Sequence, residues 1–182
     1  MGNYRNRVAD GILKDNLEAA GLVLIEGTKW CGKTTTAEQQ AGSIVYMNDP
    51  GNSGTYLALA QNSPSILLKG DTPRLIDEWQ DAPELWDAAR FEVDHRDAKT
   101  GQFIFTGSTV IPKEKLERIK HSGTGRAAWM KMRPMSLWES GESTGQLSLN
   151  DLFLNRTDAA YQSNELDIEQ LAWLICRGGW PA

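Results

Sequence analysis

The eight residues Gly27-Thr28-Lys29-Trp30-Cys31-Gly32-Lys33-Thr34, together with their flanks, constrain the fold of this chain more than any other segment. Before them runs Leu22-Val23-Leu24-Ile25, bounded by Gly21 and Gly27. A short continuous apolar run suits a strand buried on both faces, as in a parallel sheet. After them the pattern predicts a helix from Lys33 to Ala41, with Gly42 as its stop. Strand, glycine loop and helix in that order match the phosphate-binding pattern G-x-x-x-x-G-K-[ST]. The glycines let backbone N–H groups turn inward around an anion with no side chain in the way. A helix N-terminus adds unsatisfied amides and the positive end of its dipole. Gly27 through Thr35 are therefore the candidate nucleotide-binding residues. Lys33 is assigned to the β- and γ-phosphates and the Thr34 hydroxyl to Mg2+.

Two loop residues are unusual. Trp30 either packs on the neighbouring strand, the commoner arrangement, or lies against nucleotide and shields the phosphates. Cys31 is an inert thiol or a redox switch, because helix N-termini lower thiol pKa values.

Further strands are predicted at Ser43–Met47, Arg74–Asp77, Gln102–Thr106 and Ala127–Met132. Helical spacing marks Val8–Ala20, Thr55–Gln61, Pro83–Asp94, Pro112–Lys120 and Asp167–Arg177. In the last of these, Ile168, Leu171, Ala172 and Ile175 share a face. Alternating strands and helices argue for a three-layer α/β fold with a mostly parallel central sheet of about five strands. Ser140 to Gly145 reads as a linker. It divides the chain into residues 1–140, the phosphate-loop domain, and 141–182, a linker and helical extension. The apolar finish Trp180-Pro181-Ala182 suggests a chain cut at a domain boundary rather than a terminus folded back onto the core.

Leu75-Ile76-Asp77-Glu78 sets two carboxylates at the C-terminal end of a buried strand, the edge at which open α/β sheets bind ligands. Asp77 is expected to hold Mg2+, and Glu78 to orient or deprotonate the water that attacks the γ-phosphate. Thr106 and Ser108, closing the fourth strand, are candidates to sense that phosphate or that water. Arg126, after the glycine-containing loop His121–Gly125, could supply charge to the transition state in cis or across an interface. Arg90 is a weaker candidate for the same role.

The net charge of −5 argues against a surface built mainly for nucleic acid. The two cysteines fit no metal pattern and no disulfide framework. No apolar run approaches the roughly 20 residues a membrane helix needs, and the N-terminus lacks the core of a signal peptide. The chain reads as cytoplasmic.

The segments Ile25–Thr35, Pro73–Gln80, Gly101–Ser108, Gly125-Arg126, Arg133–Leu137 and Arg177–Pro181 follow one another in order along nearly the whole chain. In them the chain resembles prokaryotic AAA-type predicted ATPases, which join an N-terminal ATPase domain to a C-terminal domain of unknown function. The resemblance implies an AAA-like P-loop sheet with the fourth strand between the first and third. It also implies ATP as nucleotide, with Lys33 and Thr34 in the first motif and Asp77 and Glu78 in the second. AAA proteins commonly carry an Asn at the fourth-strand sensor, where Thr106 and Ser108 stand here. Members of the group also usually continue past the Gly-Gly-aromatic-Pro segment at which this chain stops.

The leading functional reading is Mg2+-dependent ATP binding and hydrolysis, driving a conformational change in a partner protein or an attached domain, with an oligomer compatible. The alternatives are a small-molecule P-loop kinase and a non-hydrolysing, ATP-responsive binding module. No arginine-rich lid favours the kinase, and no Asn-Lys-x-Asp segment favours GTP.

Overall fold

The computed structural model describes residues 4–97, 99–108, 123–154 and 166–181. It divides into two compact units, Arg7–Arg133, and Met1–Asn6 with Pro134–Ala182. The boundary expected at residue 140 falls inside the second unit.

In the first unit, helix α1 (Val8–Ala19) leads into β1 (Leu22–Gly27), and the phosphate loop into α2 (Lys33–Glu38). Then come β2 (Ser43–Tyr46), α3 (Ser53–Asn62), α4 (Pro64–Leu67), β3 (Arg74–Asp77), a 3-10 turn (Trp79–Asp81), α5 (Glu84–His95), β4 (Phe103–Ser108) and β5 (Ala127–Met132). All five strands are parallel, in the order β2-β3-β4-β1-β5. The fourth strand lies between the first and third, as expected. The helix anticipated at Pro112–Lys120 lies outside the described residues.

The continuous apolar run in β1 is explained by two separate cores. Leu22 and Leu24 point to one face, where Ile76, Phe103, Phe105, Leu85, Trp86 and Val93 pack. Val23 and Ile25 point to the other, against Leu13, Leu17, Cys31, Ala37, Leu75 and Ile104. A strand covered by helices on both sides needs apolar residues at every position rather than at every second one. Trp79, Trp86 and Phe105 gather on the first face with ring centroids 5.3–6.3 Å apart, an arrangement that adds to their area burial.

Helix α2 stops at Glu38 and not at Ala41. The amides of Gln39 and Gln40 bond carbonyls three residues back, those of Thr36 and Ala37, which tightens the last turn out of α-geometry. Three successive β-branched residues, Thr34 to Thr36, also weaken helical propensity there.

In the second unit, α6 (Leu137–Ser140) is capped by Ser136 and ends on Gly141 at φ 90°. The start of the expected linker is thus a helix cap. Among the described residues two further helices follow, α7 (Leu149–Phe153) and α8 (Ile168–Arg177). Arg177 pairs with Glu142 at 2.6 Å, and the guanidinium holds that carboxyl below its usual range. The amide of Met135 donates to the carbonyl of Gly179. A β-carbon at Gly179 would stand 2.0 Å from Met135 O, so this crossing requires glycine. On α8 only Leu174 is buried; Ile168, Leu171 and Ile175 of the anticipated apolar face are exposed.

Candidate functional site

The end of β1 and the start of α2 define the phosphate loop. Gly27 sits so close to β5 that a β-carbon would stand 2.4 Å from Met132 O and 2.9 Å from Cys31 Sγ. Gly32 has φ 99°, a conformation that L side chains resist. Cys31 is fully buried in the core beside α1 and α2, its Sγ 3.8 Å from Met132 O. Burial removes the access that a redox switch needs. Trp30 faces the other way. It is 78% exposed at φ 64°, with Lys29 Nζ 5.3 Å from its ring centroid. The packing on a neighbouring strand expected for Trp30 is therefore corrected: the loop buries Cys31, and the next indole is thrown outward.

Lys33 is buried, and its ammonium group donates to two carbonyls of its own loop, Gly27 O at 3.1 Å and Thr28 O at 3.0 Å. Sequence reasoning missed what holds this loop from behind. Arg7, also buried, donates from Nη1 to Cys31 O at 3.0 Å and from Nη2 to Arg133 O at 2.9 Å. No motif marks Arg7, because its partners are main-chain carbonyls far away in sequence. Replacing Arg7 by Ala removes a charged donor from both. Each such bond contributes about 1.5–3 kcal/mol, so the variant is expected to lose at least about 2 kcal/mol of stability, measured as a lower midpoint in urea denaturation.

The sheet order brings the second cluster together. With β4 between β3 and β1, Thr106 lies beside Asp77 on one side and Ile25 on the other. Asp77 is buried, and its Oδ1 accepts hydrogen bonds from Thr34 Oγ1 at 2.7 Å and from Thr106 Oγ1 at 2.5 Å. Residues from the phosphate loop, the acidic strand and the fourth strand thus meet on one oxygen. Ser108 closes β4 opposite Gly27; its side chain lies outside the described residues. The neighbouring strand end is tied in as well. Tyr46 Oη donates to Glu38 Oε1 at 2.7 Å, a bond that pushes the phenol's pKa up to about 12.

Glu78 follows Asp77 in the left-handed region, φ 56° and ψ 44°. That turns the chain sharply off the strand into the 3-10 turn. Its Oε2 accepts a hydrogen bond from Gln80 Nε2. Gln80 is the second residue that sequence reasoning missed, although it stands only two positions past the acidic pair.

Arg126 is not brought to this cluster. Its carbonyl accepts from the amides of Gly21 and Leu22, which places it at the N-terminal edge of the sheet. The whole length of β1, roughly 20 Å at about 3.3 Å per residue, separates that edge from the loop. There its Nε pairs with Asp94 Oδ1 at 2.6 Å. The bond lowers the Asp94 pKa and raises that of the guanidinium. Arg90 reaches the same carboxylate, Nη1 to Oδ2, at 3.6 Å. Two routes are open to these arginines, in cis or across an interface; the structure brings neither residue to its own phosphate loop, and both engage Asp94 instead.

The donor set at the sheet edge suits a hard cation. Mg2+ takes oxygen ligands, typically one or two carboxylates with substrate oxygens and water, and Thr34 Oγ1 and Asp77 offer an oxygen pair at hydrogen-bond separation. Among the described residues no group of three or more His, Cys, Asp or Glu forms a metal cage. No described helix is long and apolar enough to cross a membrane.

A family model described as AAA domain, a nucleotide-binding, ATPase-type family, matches residues 19–140, more than half of the chain. No curated protein matches it.

Proposed function

The chain belongs to the AAA domain family, and from that premise we propose that it binds Mg-ATP and hydrolyses the terminal anhydride. The reading rests chiefly on the meeting of Thr34 and Thr106 at the carboxylate of Asp77. A hydroxyl from the phosphate loop and a carboxylate from the end of β3 are what a nucleotide-bound magnesium requires of the protein.

The backbone amides from Gly27 to Thr35 would cradle the phosphates. Lys33 would exchange its two loop carbonyls for β- and γ-phosphate oxygens, and Thr34 would turn its oxygen from Asp77 to the cation. Asp77 would hold the cation, directly or through water. Magnesium, when bound, supplies charge neutralisation across the phosphate oxygens. Glu78 would orient a water and take its proton as the water oxygen bonds phosphorus and the bridging P–O bond breaks, giving ADP and inorganic phosphate. Thr106, already on Asp77, would report loss of the γ-phosphate along β4.

The hydrolytic cycle would drive a conformational change in an attached domain or partner protein, in a cytoplasmic setting. Support for such coupling comes from Arg7, which joins the Cys31 carbonyl of the loop to Arg133, the last residue of the first unit.

Titration calorimetry with Mg-ATP tests the binding step. Heat of binding is expected, with a rise in Tm equivalent to about 2.7 kcal/mol at ligand 100 times above Kd. Phosphate release assays test turnover. The absence of both heat and thermal stabilisation at saturating nucleotide and magnesium would remove the proposal.

A further inference from the structure

Gln80 lies in the 3-10 turn that follows the acidic pair, and its carboxamide bridges from Glu78 to the end of β4. Nε2 donates to Glu78 Oε2. A carboxylate at neutral pH only accepts, so this contact fixes which end of the amide is nitrogen. Oε1 points the other way, buried without a hydrogen-bond partner. It lies over the α-carbon of Gly107, where a β-carbon would stand 2.5 Å from it and 2.9 Å from Trp79 Cδ1 and Nε1. Gly107 in turn adjoins Thr106, whose hydroxyl is on Asp77.

Three features of this arrangement need a common explanation. A buried amide oxygen without a partner is costly. Glu78 occupies a left-handed conformation that non-glycine residues adopt sparingly. A side chain at position 107 would have to push aside the Gln80 amide and crowd Trp79, which fill that space. All three follow if the amide is there to hold the carboxylate.

We propose that Gln80 is a positioning residue for hydrolysis, clamping the Glu78 carboxylate against the end of β4. One neutral donor on Oε2 restricts the side-chain torsions of Glu78 without cancelling its charge. Oε1 of Glu78 is then left to accept the proton from water. General-base catalysis demands placement of this kind, since small displacements of the base cost rate steeply. Because the amide rests on Gly107, the base and the Thr106 strand are mechanically one piece. The inference rests on the hydrolase reading of the site.

Gln80→Met keeps the side chain's length and removes the donor; Gln80→Glu keeps its shape as well. Each is expected to lower kcat roughly 10- to 100-fold, the loss seen when an orienting partner is removed, with the calorimetric Kd for Mg-ATP within about twofold. Gly107→Ala should displace the amide and lower kcat similarly. In combination with Gln80→Met it should add nothing, because both act through one contact. A readout independent of turnover is the side-chain amide resonance of Gln80 in the nucleotide-free protein, which Glu78→Gln should shift. An unchanged kcat in folded Gln80→Met, an additive double variant, or an amide resonance indifferent to Glu78→Gln each overturns the proposal. If Glu78→Gln is crippled while Gln80→Met is not, only the clamp is lost. If the unmodified chain and Glu78→Gln turn over equally, Glu78 loses its role and the clamp goes with it; if neither turns over, the hydrolase reading falls as well.

Discussion

Glu78→Gln is expected to bind Mg-ATP as tightly as the unmodified chain and to hydrolyse it about 100- to 10,000-fold more slowly, the usual contribution of a positioned general base. The substitution changes one oxygen to an amide group and leaves the backbone alone. The left-handed turn at φ 56° that directs the chain off β3 is retained, so the loss is not a loss of fold. The amide cannot take a proton from water, although its oxygen can still accept from Gln80 Nε2. Binding should survive because the phosphate contacts assigned to Lys33, Thr34 and Asp77 come from other residues. Calorimetry and single-turnover phosphate release separate the two effects. Equal single-turnover rates would remove Glu78 from its role.

The parts of this molecule that were legible in the sequence are those whose meaning is local. Leu22 to Ile25, apolar at every position, announced a strand covered on both faces, and its residues divide between the two cores as that pattern requires. Gly27 and Gly32 stand where a close approach to Met132 and a positive φ leave no alternative. The acidic pair was visible because a strand end in this fold class has a known side. Other features depend on which residues meet in space. Arg126 looked suitable because a glycine loop precedes it, yet a residue that opens a strand of a parallel sheet lies at the N-terminal edge, opposite the phosphate loop. Arg7 and Gln80 carry no pattern at all: one binds carbonyls contributed by residues 31 and 133, and the other fits against a glycine on a different strand. Trp30 misled for a simpler reason. Large indoles are usually buried, but in a tight loop only one of two neighbours can enter the core, and Cys31 occupies that place.

Lys33→Ala is expected to weaken Mg-ATP binding by about 30-fold to several thousand-fold. Removing one partner of a buried, hydrogen-bonded charge pair costs roughly 2–5 kcal/mol, and each 1.4 kcal/mol is tenfold in Kd. The resting arrangement indicates why the loss should lie in affinity and not in folding. The ammonium group is buried with the carbonyls of Gly27 and Thr28 as its hydrogen-bond acceptors, so without nucleotide it serves only to close the loop on itself. Truncation frees those carbonyls, and at the exposed Thr28 water can replace the lysine. The Thr34–Asp77–Thr106 contacts do not involve Lys33 and should persist. The variant should therefore melt close to the unmodified chain without ligand and fail to gain stability when Mg-ATP is added. Lys33→Met, which keeps most of the aliphatic stem in place, should behave the same way, assigning the effect to the charge. Undiminished stabilisation of either variant by Mg-ATP would mean that the loop binds phosphate through its backbone alone.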